Sequence, residues 1–428
     1  MRAWHPILEG GEAARAREVV DAIATALRGK LAEPASPLLD ASHALFFSAL
    51  GGRDGAETAV AFLERAMEGV ATEDLGPGLM TGFTGVACAV SLLTGRVLAA
   101  PTSVEEDPCA AIDEALEELL TSAPVSTDEP YDLISGLVGI GVYALERADR
   151  PAGRRCVRAV IERLARLAVL RPDGAAWVTP PCAFGVPRPV GTLDLGVAHG
   201  VGGVIALLGD ACAKGFDEAR PLLAEAVSFL LAQELPRGGS LFPGALMPGL
   251  PQRSVRAGWC YGDPGLAAAL MVAARGANVP AWEASAVRIA RPAALRSDEE
   301  SGVTDAAICH GAAGLGHLFN RVYQATGDAT CGAAARRWML RAIDLRDVRV
   351  GVAGYRAHIV GPDGVDTFED DASLIRGVTG IGLALLGAIE DVEPTWDRMI
   401  ASAPRPARGA IEARRGRSAS TTTHAKRC

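Results

Sequence analysis

The 428-residue sequence contains no uninterrupted apolar run near the roughly 20 residues that a membrane-spanning helix needs. Its first residues, MRAWHPILEGGEAARAREVV, lack the charged segment followed by an apolar segment that is typical of a secretory signal peptide. With 49% hydrophobic residues the chain can bury a large core, which excludes disorder for most of its length. We therefore expect a soluble, cytoplasmic protein.

The sequence also lacks a surplus of basic residues and any nucleotide-binding loop. The formal net charge is −9, and residues 402–428 carry seven Lys or Arg against one Glu, a net of +6, so residues 1–401 carry −15. An acidic body argues against nucleic acid as a partner. There is no G-x-x-x-x-G-K-[ST] motif, and no clear strand precedes GAAGLG, so neither ATP nor NAD is implied.

A disulfide framework is excluded as well. The nine cysteines are an odd number, scattered along a chain without an export signal, so most should be thiols, and a cluster of them would sooner bind metal than form bridges. Five lie within or at the ends of helical patterns and are expected to be core or surface filler: Cys88, Cys109, Cys156, Cys212 and Cys331.

One pattern recurs six times: a small or polar residue, Gly-x-x-Gly, then an apolar run. Its first glycines are Gly82, Gly136, Gly200, Gly262, Gly311 and Gly377. An eroded seventh copy is expected at SPLLDASHALFFSAL, where Ser42 stands in the place of the second glycine. The copies predict helices that are apolar nearly all round and begin at glycines.

Amphipathic helices are predicted between these copies. In RRCVRAVIERLARLAVL the apolar residues follow helical spacing, and the charged residues are predicted to occupy the opposite face: Arg158, Glu162, Arg163 and Arg166. Because fully apolar helices must be buried, we expect an inner ring of helices inside an outer ring, with the glycines letting the inner backbones crowd together. If every inner helix begins on the same side, the glycine turns meet at one pole.

Three irregular stretches rich in Pro and Gly lead into glycine turns, at residues 177–196, 236–258 and 350–371. We expect them to form the walls of a pocket over the pole.

Two glycine turns carry cysteines: Cys260 lies in GWCYGDPG, and Cys309 with His310 lies in ICHGAAG. At a common pole, two thiolates and one imidazole form a soft set that suits zinc and leaves the fourth tetrahedral position open, as in catalytic zinc sites. The alternative is that these cysteines only fill the core, where cysteine is common.

Four further residues are expected at the pole. His199, in VAHGVGG, occupies the corresponding place in its own repeat and is a candidate acid or base, a fourth ligand or a helix cap. Asp132 faces the same pole or stabilises a helix start. Arg256 would hold an oxyanion or pair with a carboxylate, and Tyr261 would donate a proton or pack.

Together RAGWCYGDPG, CHGAAGLGHLF, LGVAHGVGGV, YDLISGLVGIG and SLIRGVTGIGLALL resemble the lanthionine synthetase C family of lanthipeptide cyclases, over roughly residues 36–390. The resemblance implies an all-α fold, an α/α toroid of about seven inner and seven outer helices, as a cyclase domain of residues 1–401. The basic composition of residues 402–428 separately predicts a disordered tail. The resemblance also implies Zn²⁺ bound by Cys260, Cys309 and His310, with Asp132, His199, Arg256 and Tyr261 as catalytic residues.

The implied reaction adds cysteine thiols of a dehydrated precursor peptide to dehydroalanine and dehydrobutyrine, which gives thioether rings. Implied partners are that peptide with its leader, a separate dehydratase because no dehydratase-like region precedes the toroid, and an exporter complex that would place the cyclase at the inner face of the membrane.

Three alternatives remain. Animal relatives in this family add glutathione to dehydrated residues, and a degenerate member would only be a scaffold for a dehydratase and exporter. An α-toroid glycosidase would need two carboxylates across a cleft, from Asp132 with Asp194 or Asp263, and would leave the cysteines unexplained.

Overall fold

A computed structural model of the chain describes residues 4–181, 188–236, 239–361 and 364–403. The predicted tail falls almost wholly outside these residues. Within them the chain forms fifteen α-helices and three two-stranded antiparallel sheets. Seven helices are buried on nearly every side: α2 (Pro37–Leu50), α4 (Phe83–Leu93), α6 (Leu137–Glu146), α8 (Val201–Ala213), α10 (Asp263–Ala277), α13 (Ala312–Thr326) and α15 (Val378–Ile389).

Seven more helices each bury one stripe and expose the rest: α1 (Gly10–Gly29), α3 (Gly52–Thr72), α5 (Ala110–Ser122), α7 (Pro151–Leu167), α9 (Arg220–Leu231), α11 (Pro280–Leu295) and α14 (Ala329–Asp344). A single turn, α12, spans Asp298–Ser301. The sheets pair β1 (Val169–Arg171) with β2 (Gly174–Ala176), β3 (Leu193–Asp194) with β4 (Ala245–Leu246), and β5 (Ala357–Val360) with β6 (Asp366–Glu369).

The buried helices form a closed ring. Each packs against the next in chain order, and α15 packs against α2. The amphipathic helices lie outside them, because a helix with one apolar stripe is stable only when that stripe covers another element. The predicted all-α double ring is therefore confirmed.

The last pair of helices joins the two ends of the chain. The outer helix α1 covers α15, and just before α1 the Trp4 indole donates a hydrogen bond to the Gly387 carbonyl, 383 positions away. The backbone N–H of Ile7 donates to Ala388 in the same way. The eroded first repeat is α2, and its His43 contacts the carbonyl of Ala372 through Nε2, at 3.2 Å.

All six predicted glycines cap the N-termini of inner helices. The second glycine of each copy is needed for a different reason from the one we predicted. A Cβ there would clash with the carbonyl oxygen of the residue six positions earlier in the same loop, as at Gly85 with Leu79 and at Gly314 with Ile308. The glycines therefore mainly let each loop fold back over its own helix start; close helix-to-helix approach involves other glycines, such as Gly209 and Gly276.

One detail of the amphipathic pattern was wrong. Arg163 of α7 is buried rather than exposed, because its guanidinium pairs with Glu129 and donates to the carbonyl oxygens of Leu120 and Ala123. A paired and fully hydrogen-bonded arginine can be buried where an unpaired one cannot. No helix among the described residues is both long enough and apolar enough to span a bilayer.

Candidate functional site

The loops that precede the inner helices meet at one end of the ring and are tied to each other through their backbones. Successive loops exchange N–H to carbonyl bonds of 2.8 to 3.4 Å: Met80 to Ile134, Leu133 to Ala198, Ala198 to Cys260, Trp259 to Cys309, and Cys309 to Ile375. Residues that are far apart in sequence therefore meet at this pole.

Cys260, Cys309 and His310 form a compact cluster at the pole. Their potential ligand atoms all lie within 4.8 Å of one another, and Sγ of Cys260 is 3.9 Å from Nδ1 of His310. Each cysteine lies two residues before the glycine that caps an inner helix, so the same turn presents both thiols. Cys260 is 9% exposed and His310 is 8% exposed.

The two thiols share their protons unequally. The hydrogen bond from Cys309 lowers the pKa of Cys260 well below its usual range, against the effect of burial and with help from His310 and the charge of Arg256. The same hydrogen bond, together with burial, raises the pKa of Cys309. The pair thus loses its first proton readily, and thiolate is the form that binds metal.

Four other buried cysteines behave differently. Burial raises the pKa of Cys109 and of Cys212 to about 11, and that of Cys156 and of Cys331 to about 12. These thiols stay protonated at neutral pH, and all four pack in the core.

The cluster fits a zinc ion. Tetrahedral zinc, with Zn–S of about 2.3 Å and Zn–N of about 2.0 Å, separates such a sulfur and nitrogen by about 3.5 Å, close to the 3.9 Å between Cys260 and His310. Among the described residues no other group of histidine, cysteine and carboxylate side chains converges in this way. Three donors leave one tetrahedral position for a further ligand.

His199 and Asp132 form a hydrogen-bonded pair at the same pole. Nδ1 of His199 lies 2.8 Å from Oδ2 of Asp132, and the other oxygen of that carboxylate accepts bonds from the backbone N–H and the hydroxyl of Ser135. The Asp132 side chain is buried, whereas that of His199 is 18% exposed. The ring of His199 is 6.2 Å from the ring of Tyr261, which follows Cys260.

Tyr261 is held by residues that the site prediction missed. Its hydroxyl donates to Oδ1 of Asp194 at 3.0 Å, and the same oxygen accepts from Arg188 at 2.5 Å. Thr179 donates to the other oxygen of Asp194. Burial and the charge of Asp194 raise the pKa of Tyr261 well above its usual range, so the phenol keeps its proton. One signal was available: Asp194, Asp305 and Asp371 each lie six residues before a capping glycine.

A cavity of about 520 Å³ opens beside Tyr261 and Asp194. Its lining includes Arg188, Asp194, Tyr261 and Arg256 on the polar side, and Met247, Leu250 and Val255 on the apolar side. Two of the three irregular stretches predicted to wall a pocket do line it, although residues 182–187 and 237–238 of them lie outside the described residues. The third stretch forms β5 and β6, whose His358 lies beside His310.

Arg256 connects the cavity with the thiol cluster. It lines the cavity, and its positive charge lowers the pKa of both Cys260 and Cys309. Within the described part of the chain it forms no hydrogen bond or ion pair, unlike Arg188. The described residues thus provide no carboxylate partner for Arg256.

In sequence, residues 91–401 match the model of the family described as "Lanthionine synthetase C-like protein". The chain belongs to this family. The match begins within α4 and leaves out the eroded first repeat. No curated protein is significantly similar to the chain in sequence.

Among solved structures, this lanthionine synthetase C-like chain is similar to "Nisin cyclase", with a TM-score of 0.68 and 17% identity over 90% of this chain and 97% of that one. At this identity the likeness shows a shared α/α toroid and nothing more. "Glycosyl hydrolase family 88 from Bacteroides vulgatus" aligns with a TM-score of 0.45 and 11% identity over 88% and 97% of the two chains, which supports no argument.

Proposed function

We propose that this protein is a zinc-dependent lanthipeptide cyclase, which adds cysteine thiols of a dehydrated peptide to dehydroalanine or dehydrobutyrine residues. The observation that carries the proposal is the arrangement at the pole. A set of two thiols and one imidazole, which would leave one tetrahedral position of a bound zinc for a further ligand, lies at the same pole as a histidine–aspartate pair. Tyr261, the residue after Cys260, lines a cavity of about 520 Å³. Family membership supports the same reaction class.

Zinc held by Cys260, Cys309 and His310 would lower the pKa of a substrate thiol, so that it reacts as a thiolate at neutral pH. The new C–S bond forms at the β-carbon of the dehydrated residue, and the electron pair of the double bond moves to the carbonyl as an enolate. A proton must then reach the α-carbon. The substrate thiol loses one proton and the α-carbon gains one, so the ring forms without a change in the mass of the peptide.

His199 is the proposed proton donor. Asp132 accepts from Nδ1 and stabilises positive charge on the ring, so the proton given to the enolate leaves from Nε2. Ser135 in turn fixes the Asp132 carboxylate with two hydrogen bonds. His199 is thus oriented by a chain of contacts within the pole loops.

Of Arg256 and Tyr261, Arg256 is the better candidate for stabilising the negative charge on the enolate oxygen. The hydroxyl proton of Tyr261 is donated to Asp194, so an oxyanion would have to compete with a carboxylate for it. Arg256 forms no ion pair with a described residue and lies beside the thiol cluster. We therefore assign Tyr261 a positioning role in the cavity wall.

The alternative functions have less support. For a glycosidase, Asp132, Asp194 and Asp263 are each occupied by hydrogen bonds, and Asp263 is fully buried against Arg296. A pure scaffold would not need a converged set of thiols and imidazole. Glutathione addition uses the same chemistry, and only the acceptor and the thiol source separate it from ring formation.

Metal analysis is the first test. The purified protein should hold about one equivalent of zinc, and Cys309→Ala should lower this to less than about half an equivalent. Cys212→Ala is the matched control, because Cys212 is a buried thiol of α8 that lies outside the cluster. Equal zinc in the wild type and in Cys309→Ala would contradict the proposed site.

The second test is the reaction itself. The protein, incubated with a dehydrated precursor peptide, should remove free thiols without changing the peptide mass. A mass increase with added glutathione would instead support the glutathione-adding alternative, and persistence of thiols with every candidate peptide would support the scaffold. A separate dehydratase, the leader of the peptide, an exporter complex and a cytoplasmic location belong to the same proposal.

A further inference from the structure

Two arginines in the cavity have no carboxylate partner. Arg253 and Arg256 both line it, and neither forms a hydrogen bond or ion pair within the described residues. The third arginine of the lining, Arg188, is paired with Asp194. The positive charge of the first two is therefore available to a bound molecule.

This arrangement contrasts with the other arginines in and near the core. Arg147, Arg296 and Arg321 are each neutralised by buried aspartates. Residues 1–401 carry a formal charge of −15, so an acidic ligand is repelled by the protein as a whole. The two unpaired guanidinium groups beside the apolar wall form a region of positive charge on an otherwise negatively charged protein.

We propose that this cavity is a subsite for a carboxylate of the peptide substrate, carried by a residue close to the reacting cysteine, with Arg253 as the main contact. The proposal rests on the proposed function, because the thiol cluster next to Arg256 decides where the cysteine lies. The apolar lining of Met247, Leu250 and Val255 would cover the neighbouring side chains of the peptide.

The test uses short acetylated peptide amides that contain one cysteine and either Asp or Asn next to it, on either side. Their binding to the cobalt-substituted protein is measured through the thiolate-to-cobalt absorption. The Asp peptide should bind about 3- to 10-fold more tightly than its Asn counterpart in at least one of the two orders. Arg253→Ala should remove that preference, and Arg253→Lys should retain part of it.

Arg53→Ala is the control, since Arg53 is an exposed arginine of α3 that is remote in the repeat order. Equal binding of the Asp and Asn peptides in both orders would overturn the subsite and leave the proposed function intact. Failure of all these thiols to bind the metal-loaded protein would contradict the proposed function itself.

A separate observation concerns the third irregular stretch. The rings of His310 and His358 lie edge to face, with centroids 6.2 Å apart, and each ring has one buried nitrogen without a hydrogen-bond partner in the described chain. The two atoms are Nε2 of His310 and Nδ1 of His358. Buried ring nitrogens without partners are costly, so two on adjacent rings point to a shared role.

The surroundings of His358 fix its ring. Its backbone N–H donates to Asp305 at 2.8 Å, and its Nε2 lies 3.1 Å from Asp366, so Nε2 is the protonated atom and Nδ1 is an acceptor. In His310, Nδ1 faces Cys260, which leaves the N–H on Nε2 as a donor. The two orphaned atoms are therefore complementary in type.

We infer that His358 is a positioning residue for the proposed metal ligand His310, with Nδ1 of His358 accepting from the Nε2–H of His310 through one bridging water. Ligating histidines almost always donate their second N–H to such a partner, and loss of the partner typically weakens metal binding 10- to 100-fold. Zinc affinity, measured by competition with a chromophoric chelator, should fall by about that factor in His358→Ala and less in Asp366→Asn.

His5→Ala, which changes an exposed histidine, is the control and should leave the zinc affinity unchanged. Circular dichroism of the metal-free proteins separates a weaker site from a disrupted fold. A zinc affinity of folded His358→Ala within two-fold of the wild type would overturn this inference, whereas a wild type that binds no zinc would contradict the proposed function.

Discussion

Two histidine–aspartate pairs in this protein have nearly the same geometry and different surroundings. In the pole pair, Nδ1 of His199 lies 2.8 Å from Asp132; in the body pair, Nε2 of His317 lies 2.7 Å from Asp397. The body pair is enclosed, with side-chain exposures of 1% and 0%, and Arg321 binds the same carboxylate. Among the described residues no arginine is paired with Asp132, and the pole pair reaches solvent through His199.

The comparison shows that contact distance does not distinguish the pair that we propose to be catalytic from a structural one. In the body pair, burial opposes ionisation of Asp397, but Arg321 and His317 outweigh it and lower the pKa of that carboxyl to about 2. Its charge is thus already compensated within the fold. Asp132 instead accepts hydrogen bonds from two uncharged groups, the backbone N–H and the hydroxyl of Ser135. Its negative charge therefore stays available to stabilise a cationic His199.

The largest effect is expected from His199→Asn. We expect ring formation to slow by about 10²- to 10⁴-fold, because the positioned proton donor is lost, while zinc content and the free energy of unfolding remain near wild type. Single-turnover cyclisation assays, metal analysis and denaturant titration check the three parts. A wild-type rate would remove His199 from the mechanism.

The matching change in the body pair is Asp397→Asn, which should act on stability instead. It leaves the buried Arg321 with only the partly exposed Glu393 as a counter-charge, so the free energy of unfolding should fall by about 3 to 5 kcal/mol. Denaturant titration measures this, with exposed Asp128→Asn as the control. Unchanged stability combined with lost cyclisation would reverse the assignment of the two pairs.

A third histidine, His43, extends the comparison to an imidazole whose hydrogen-bond partner is a backbone carbonyl and not a carboxylate. Burial lowers its pKa from 6.5 to about 4, so the unfolded chain binds a proton more readily and stability is lost as the pH falls from about 6.5 to 4. From pH 7.5 to pH 5 this amounts to about 2 kcal/mol. His43→Gln should lose less stability than the wild type over that interval, and His5→Gln should lose as much.

The smallest effect is expected from Ser135→Ala. Asp132 loses the 3.2 Å hydroxyl contact and keeps the 2.8 Å backbone bond, so cyclisation should slow by about 2- to 10-fold at unchanged zinc content. Steady-state assays over a range of peptide concentrations measure the change. A rate equal to that of the wild type would mean that the backbone N–H alone holds Asp132.

The ring and the convergence of Cys260 with Cys309 could be predicted because the turn before each inner helix has a steric requirement. Where a loop folds back over a helix start, only glycine fits at the second position, so the pattern remains visible in the sequence. The eroded first copy, in which Ser42 was predicted to stand in the place of the second glycine, does form an inner helix, α2. Arg163 was misplaced because spacing alone does not reveal a distant partner such as Glu129.

The residues that line the cavity could not be predicted either, because spacing in the sequence does not reveal partners from distant loops. Arg188, Asp194 and Tyr261 come from different loops, and their contacts depend on how irregular segments pack. His358 lies in an irregular stretch whose strand register was not apparent from residue types. Side chains that the repeat presents were predictable, and those on the connecting loops were not.

The covering of α15 by α1 has a consequence for synthesis. The apolar stripe of α1 is translated before the other helices of the ring, and its partner surface on α15 is translated after them. The ring therefore cannot close while the ribosome is still making the central repeats. Until then α1 and the first inner helix, α2, each lack their contact with α15, which makes the nascent chain a client for chaperones that shield apolar segments.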